Sequence, residues 1–191
     1  MKKPRLYFDT SVFGGVYDKE FEIETIKLFE MVRSEEIICV YSDLVELELE
    51  NAPQKVKEHF LTLKNENIEF VEITQEIDTL AKEYIKEKVV GETSIDDCRH
   101  IACATINKVD YLVSWNFKHI VNVFRIRGYN AINIKINSPA NKLPKSRKAN
   151  DIGLTNSSIS RNKMLSGNKY QPNGLLNISL VSPTPPFILM L

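Results

Sequence analysis

Four polar residues at the ends of apolar runs carry the chemistry this sequence could perform. Asp9 follows Leu6-Tyr7-Phe8 within the longer run to Phe13, which reads as a buried strand. An unpaired ionised carboxylate there would cost several kcal/mol or more, so such a residue is normally paired or bound to a cation. The stretch Ser42-Asp43-Leu44-Val45-Glu46-Leu47-Glu48-Leu49-Glu50 holds four acids. On a helix Asp43, Glu46 and Glu50 share one side, whereas Glu48 falls with Leu44, Leu47 and Asn51 beside the apolar stripe. Glu48 is therefore the preferred site residue, with Glu46 second. Asp97 lies in Ser94-Ile95-Asp96-Asp97-Cys98-Arg99-His100-Ile101-Ala102-Cys103-Ala104, sharing a helical face with Ile101 and Ala104. It also suits a capping box with Ser94 as N-cap. Asn116 follows Tyr111-Leu112-Val113-Ser114-Trp115, where it is either a helix N-cap or a group that holds water or orients a carboxylate. His100 could act as a general base, although a lone histidine in a helix is more often packed or hydrogen-bonded.

Two like charges 4 Å apart repel by about 4 kcal/mol at an effective dielectric of 20. Three carboxylates converging on one point therefore call for a cation or for protonation. Oxygen-only ligands select hard ions, Mg²⁺ or Mn²⁺, over zinc. Mg²⁺ held by few carboxylates retains water that can attack a phosphodiester. The chemistry implied is phosphoryl transfer to water.

The elements needed to position such a site are present in alternation. Strands are expected at Leu6–Asp9, Ile37–Tyr41, Ile68–Ile73, Tyr111–Ser114 and Ala131–Ile136. Helices are expected at Ile23–Glu35, Leu44–Glu50, Pro53–Asn65, Glu76–Lys88, Ser94–Asn107 and Phe117–Arg127, with Gly128 as the C′ residue of the last. This alternation implies a three-layer α/β/α fold around a mainly parallel sheet of about five strands. In such sheets ligands bind at the carboxyl ends of the strands, where Asp9 and Asn116 fall.

The 191 residues suggest one domain and an appendage. Residues 1–137 hold 18 Lys+Arg and 24 Asp+Glu, a net of −6, and residues 138–191 hold 7 and 1, a net of +6. An acidic folded part argues against a general nucleic-acid binder held by a broad basic face, but not against a metal-neutralised nuclease. Residues 138–191 are rich in Asn, Ser, Pro and Lys and read as an irregular, disordered tail. Cys39, Cys98 and Cys103 have no framework spacing and read as buried, reduced thiols of a cytoplasmic protein. No signal peptide and no membrane span is expected.

In combination these segments resemble the PIN-domain family over about residues 4–137. Phe8-Asp9-Thr10-Ser11 is similar to its first motif, and Ser42 with Glu48 six residues on to its second. Asp97 leading into Ile101-Ala102 and Ala104 is similar to the third, and Val113-Ser114-Trp115-Asn116 to the fourth. The resemblance implies a five-stranded parallel sheet and an Mg²⁺- or Mn²⁺-dependent endoribonuclease. It further implies a VapC-type toxin that is held inactive by an antitoxin and forms a homodimer. Asp9, Glu48, Asp97 and Asn116 would then hold metal, and Thr10, Ser11 and Ser114 would hydrogen-bond the carboxylates. Two departures stand out. Many relatives carry Asp where this chain has Asn116, and the tail has no counterpart in the compact fold. The alternative is a PIN-fold module that binds RNA or protein and cleaves slowly or not at all. A phosphatase of the haloacid dehalogenase type needs a second Asp where this chain has Ser11.

Overall fold

The computed structural model describes residues 2–63, 67–137 and 187–189. Strand β1 (Arg5–Phe8) is followed by helices α1 (Thr10–Gly15) and α2 (Glu22–Arg33). Strand β2 (Ile38–Ser42) leads through α3 (Asp43–Leu49) and α4 (Gln54–Leu63) to β3 (Ile68–Val71). Helices α5 (Gln75–Lys86) and α6 (Ile95–Ile106) precede β4 (Tyr111–Val113), α7 (Val123–Asn137) and β5 (Phe187–Leu189).

The strands lie in the order β3-β2-β1-β4-β5, and every neighbouring pair is parallel. Successive side chains on a strand point to opposite faces. Leu6 and Phe8 therefore enter one apolar cluster and Tyr7 the other. Cys39 and Tyr41 part from Val40 in the same way. The first cluster packs Phe13, Phe29 and Phe60 from α1, α2 and α4 against the sheet. The second packs Ile77, Ala81 and Tyr84 of α5, Ile101 and Ala102 of α6, and Tyr129 and Ile132 of α7. A strand buried on both faces must be apolar throughout, which explains the uninterrupted run in β1. The result is the expected α/β/α sandwich.

Three local expectations differ from the structure. The strand expected at Leu6–Asp9 forms as β1, but the chain then turns at Asp9 into α1, a helix not expected there, which buries Val12 and Phe13 in the first cluster. Phe117–Arg127 is not a helix from its start. The backbone oxygen of Asn116 accepts from the amides of Ile120 and Val121, closing a turn. The Asn122 Oδ1 then accepts from the amides of Phe124 and Arg125 at the head of α7. Ala131–Ile136 is the second half of α7 rather than a strand, and Gly128 lies inside that helix. Its alternating isoleucines mislead because only Ile132 is buried, while Ile134 and Ile136 are 56% and 41% exposed. Burial instead follows Tyr129 and Ile132, at helical spacing. The fifth strand comes from Phe187–Leu189, paired with Tyr111–Val113. The remainder of the expected tail at 138–191 lies outside the described residues. Among the described residues no helix is long and apolar enough to cross a membrane.

Candidate active site

Strand order places β1 between β2 and β4, so connections leave it in opposite directions. A crevice opens at the carboxyl end of a strand at such a switch point. Asp9 and Ser114 are the first residues beyond β1 and β4.

Asp9 is 3% exposed. Ser11 Oγ donates to its Oδ1 at 2.5 Å, and Ser114 Oγ donates to its Oδ2 at 2.6 Å. The Ser11 Oγ in turn accepts from the Trp115 amide at 2.8 Å, and the Ser114 Oγ from the Asn116 amide at 2.9 Å. The segment after β4 is thereby tied to the segment after β1 through one carboxylate. Burial pushes the Asp9 carboxyl above its ordinary range, against the opposing effects of His100 and the two hydroxyls.

Glu48 reaches the same crevice from α3. It accepts from Thr10 Oγ1 and, at 3.0 Å, pairs with His100 Nε2. Burial alone would raise its pKa, but His100 and Thr10 outweigh burial and hold it below the usual value. Glu46 turns elsewhere, to the Tyr41 hydroxyl at 3.3 Å. The choice of Glu48 over Glu46 thus matches the direction in which α3 presents its side chains.

Asp97 stands in the first turn of α6. The Asn116 Nδ2 donates to its Oδ1 at 2.5 Å. Burial raises the Asp97 carboxyl, and the nearby charge of Glu48 raises it further, against His119 and His100. Ser94 occupies the N-cap position but makes no side-chain capping bond; its hydroxyl meets His119 Nδ1 at 3.1 Å. The side-chain capping bond expected of Ser94 is therefore not formed; its hydroxyl turns instead to His119 and to the Asp97 carboxylate. Asn116 uses both ends of its amide, since its Oδ1 accepts from the His119 backbone amide at 3.1 Å. It caps a turn and orients Asp97 at once.

Sequence reasoning gave His100 little weight, yet it occupies the centre of this group. It is 3% exposed. Its Nδ1 meets the Tyr7 hydroxyl at 2.9 Å, and that hydroxyl meets Ser42 Oγ at 2.7 Å. With Nε2–H facing Glu48, a neutral ring leaves Nδ1 as acceptor, so the donors run Ser42 to Tyr7 to His100 to Glu48. Burial disfavours the imidazolium, but Glu48 and the charges of Asp9 and Asp97 more than offset it, and the His100 pKa is raised. The available signal was its place one helical turn after Asp96 and Asp97 on a face that also buries Cys103.

The donor set is three carboxylates with hydroxyl and amide supports, and two of the three acids are held above their ordinary range. This is oxygen chemistry short of positive charge, which suits Mg²⁺ or Mn²⁺. Among the described residues, no group of three or more His, Cys, Asp or Glu side chains is arranged to hold a metal ion by itself. The three cysteines are free and buried, away from this role.

No protein-family model and no curated protein matches the chain. Among solved structures, the chain is similar to VapBC2 from Rickettsia felis bound to a promoter DNA fragment. That match has 14% identity and a TM-score of 0.45, and covers 60% of this chain and 89% of the other. A toxin–antitoxin complex from Klebsiella pneumoniae matches at 16% identity and a TM-score of 0.46, over 62% and 92% of the two chains. The sarcin–ricin loop cleaving toxin VapC20 of Mycobacterium tuberculosis matches at 12% and 0.48, over 64% and 95%.

Proposed function

We propose that this chain is a metal-dependent endoribonuclease that hydrolyses RNA phosphodiester bonds. In this reading it is the toxin of a toxin–antitoxin pair, acts in the cytoplasm and forms a homodimer. What supports the reading is a hydrogen-bond chain that links acids from three separate elements near the β1–β4 switch point: Ser114 joins Asp9 to the Asn116 backbone, Asn116 holds Asp97, and Thr10 and His100 hold Glu48. Asp9, Glu48 and Asp97 would hold Mg²⁺ or Mn²⁺. When bound, such an ion would polarise a coordinated water and neutralise charge on the phosphodiester.

The protein's own side chains set the geometry. Ser11 and Ser114 fix both oxygens of Asp9. Thr10 and His100 fix Glu48, and Asn116 fixes Asp97. A carboxylate of this group beside the ion would accept the proton from attacking water. The products would carry a 5′-phosphate and a 3′-hydroxyl. The engagement of both ends of the Asn116 amide favours a second reading, a PIN-fold module that binds RNA or protein without cutting.

Cleavage of a panel of single-stranded and structured RNAs separates the two. With Mg²⁺ or Mn²⁺ the protein is expected to cut, and EDTA to stop it. Asp97→Asn should lower the rate by more than the roughly 10- to 100-fold typical of losing a group that only orients a ligand. Cleavage undiminished in Asp97→Asn would overturn the site assignment. Ion binding without any cleavage would favour the binding module.

A further inference from the structure

An aromatic step rises beside the acidic crevice. Phe21 stacks on Trp115 with ring centroids 5.0 Å apart and planes 6° apart. Phe21 also stacks with Phe117, at 5.7 Å and 25°. Trp115 is buried, Phe21 is half-buried and Phe117 is 41% exposed, so the step runs from the core to solvent. It is built into the site. The Trp115 amide holds Ser11, which holds Asp9, and Asn116, the residue before Phe117, holds Asp97. Lys118 follows Phe117 and Lys19 precedes Phe21 by two residues; both are exposed, and neither enters an ion pair among the described residues. Exposed aromatic faces with free cations beside them are the means by which single strands are held without sequence readout.

We propose that Phe117, backed by Phe21 and Trp115, stacks an unpaired base of the substrate RNA next to the scissile phosphate, while Lys118 and Lys19 meet the adjoining backbone. A base inside a duplex has both faces covered by its neighbours and cannot stack on the step. The proposal rests on the nuclease reading for the identity of the strand as RNA and for the place of the scissile phosphate.

The test is binding of the full chain, in EDTA so that hydrolysis is held off, to a single-stranded RNA carrying 2-aminopurine and to the same RNA in a duplex. Phe117→Leu should weaken single-strand binding roughly 5- to 100-fold. It should also abolish the quenching of 2-aminopurine on binding, and leave duplex binding and the melting temperature unchanged. Phe117→Trp should restore affinity and quenching, which a purely structural role would not require. Equal single-strand affinity of wild type and Phe117→Leu overturns the proposal, as does an equal loss on single strand and duplex. Metal-dependent cleavage with no dependence on Phe117 would sink the step and leave the nuclease standing. Phe117-dependent binding without cleavage would do the reverse.

Discussion

His100 holds the three acids in balance, and its removal should be felt as a function of pH. Its pKa is raised above the ordinary 6.5, and that of its partner Glu48 is lowered below 4.5. A raised histidine stabilises the fold below its unfolded pKa, and that contribution is lost as pH rises through the higher folded value. A lowered glutamate stabilises above its unfolded pKa, and that contribution is lost as pH falls through the folded value. The contributions therefore overlap between about pH 4.5 and 6.5. Thermal melts of wild type and His100→Gln should differ most in that window and converge as pH rises beyond it. Equal separation at every pH would show that His100 contributes packing and no charge.

At the scale of elements, α1 depends on how closely it lies to the segment after β4. A Cβ added at Gly15 would stand 2.4 Å from Thr25 Oγ1 and 2.6 Å from Trp115 Nε1, whereas one added at Gly14 would meet nothing within 4 Å. Gly15→Ala should cost ~1–3 kcal/mol by overpacking. Gly14→Ala should be neutral or gain up to about 1 kcal/mol, since glycine is a poor helix former. Urea unfolding of the pair checks this, and similar stabilities would mean that α1 shifts freely. The same closeness explains why α1 was not legible in the sequence. Helix α1 (Thr10–Gly15) has only six residues, too few to show a period, and burial of Val12 and Phe13 among α2 and α4 decides the matter. By contrast α5 puts Ile77, Leu80, Ala81 and Tyr84 on one stripe and could be read directly.

At the scale of the molecule, β5 closes the edge of the sheet with a segment distant in sequence, 74 residues after the end of β4 by subtraction of Val113 from Phe187. Removing residues 187–191 should uncover the outer edge of β4. Hydrogen exchange at Leu112 should then quicken, while exchange at Val113, whose backbone oxygen accepts from the Asp9 amide and which therefore faces β1, and at Val40, paired between β1 and β2, stays slow. Unchanged exchange in β4 would show that this pairing adds nothing to the sheet. The sequence by itself determined the layer architecture and singled out Asp9, Glu48 and Asp97 as candidates, because strand burial, helical facing and position at element ends are local properties that a linear pattern records. Only the tertiary structure decided that His100, joined to Tyr7 across 93 residues and to Glu48 across 52, lies among the acids. It alone likewise turned Ala131–Ile136 into a helix and took the fifth strand from the far end of the chain. Those outcomes depend on which surfaces meet, and the free energy of burial they settle is not written in any one segment.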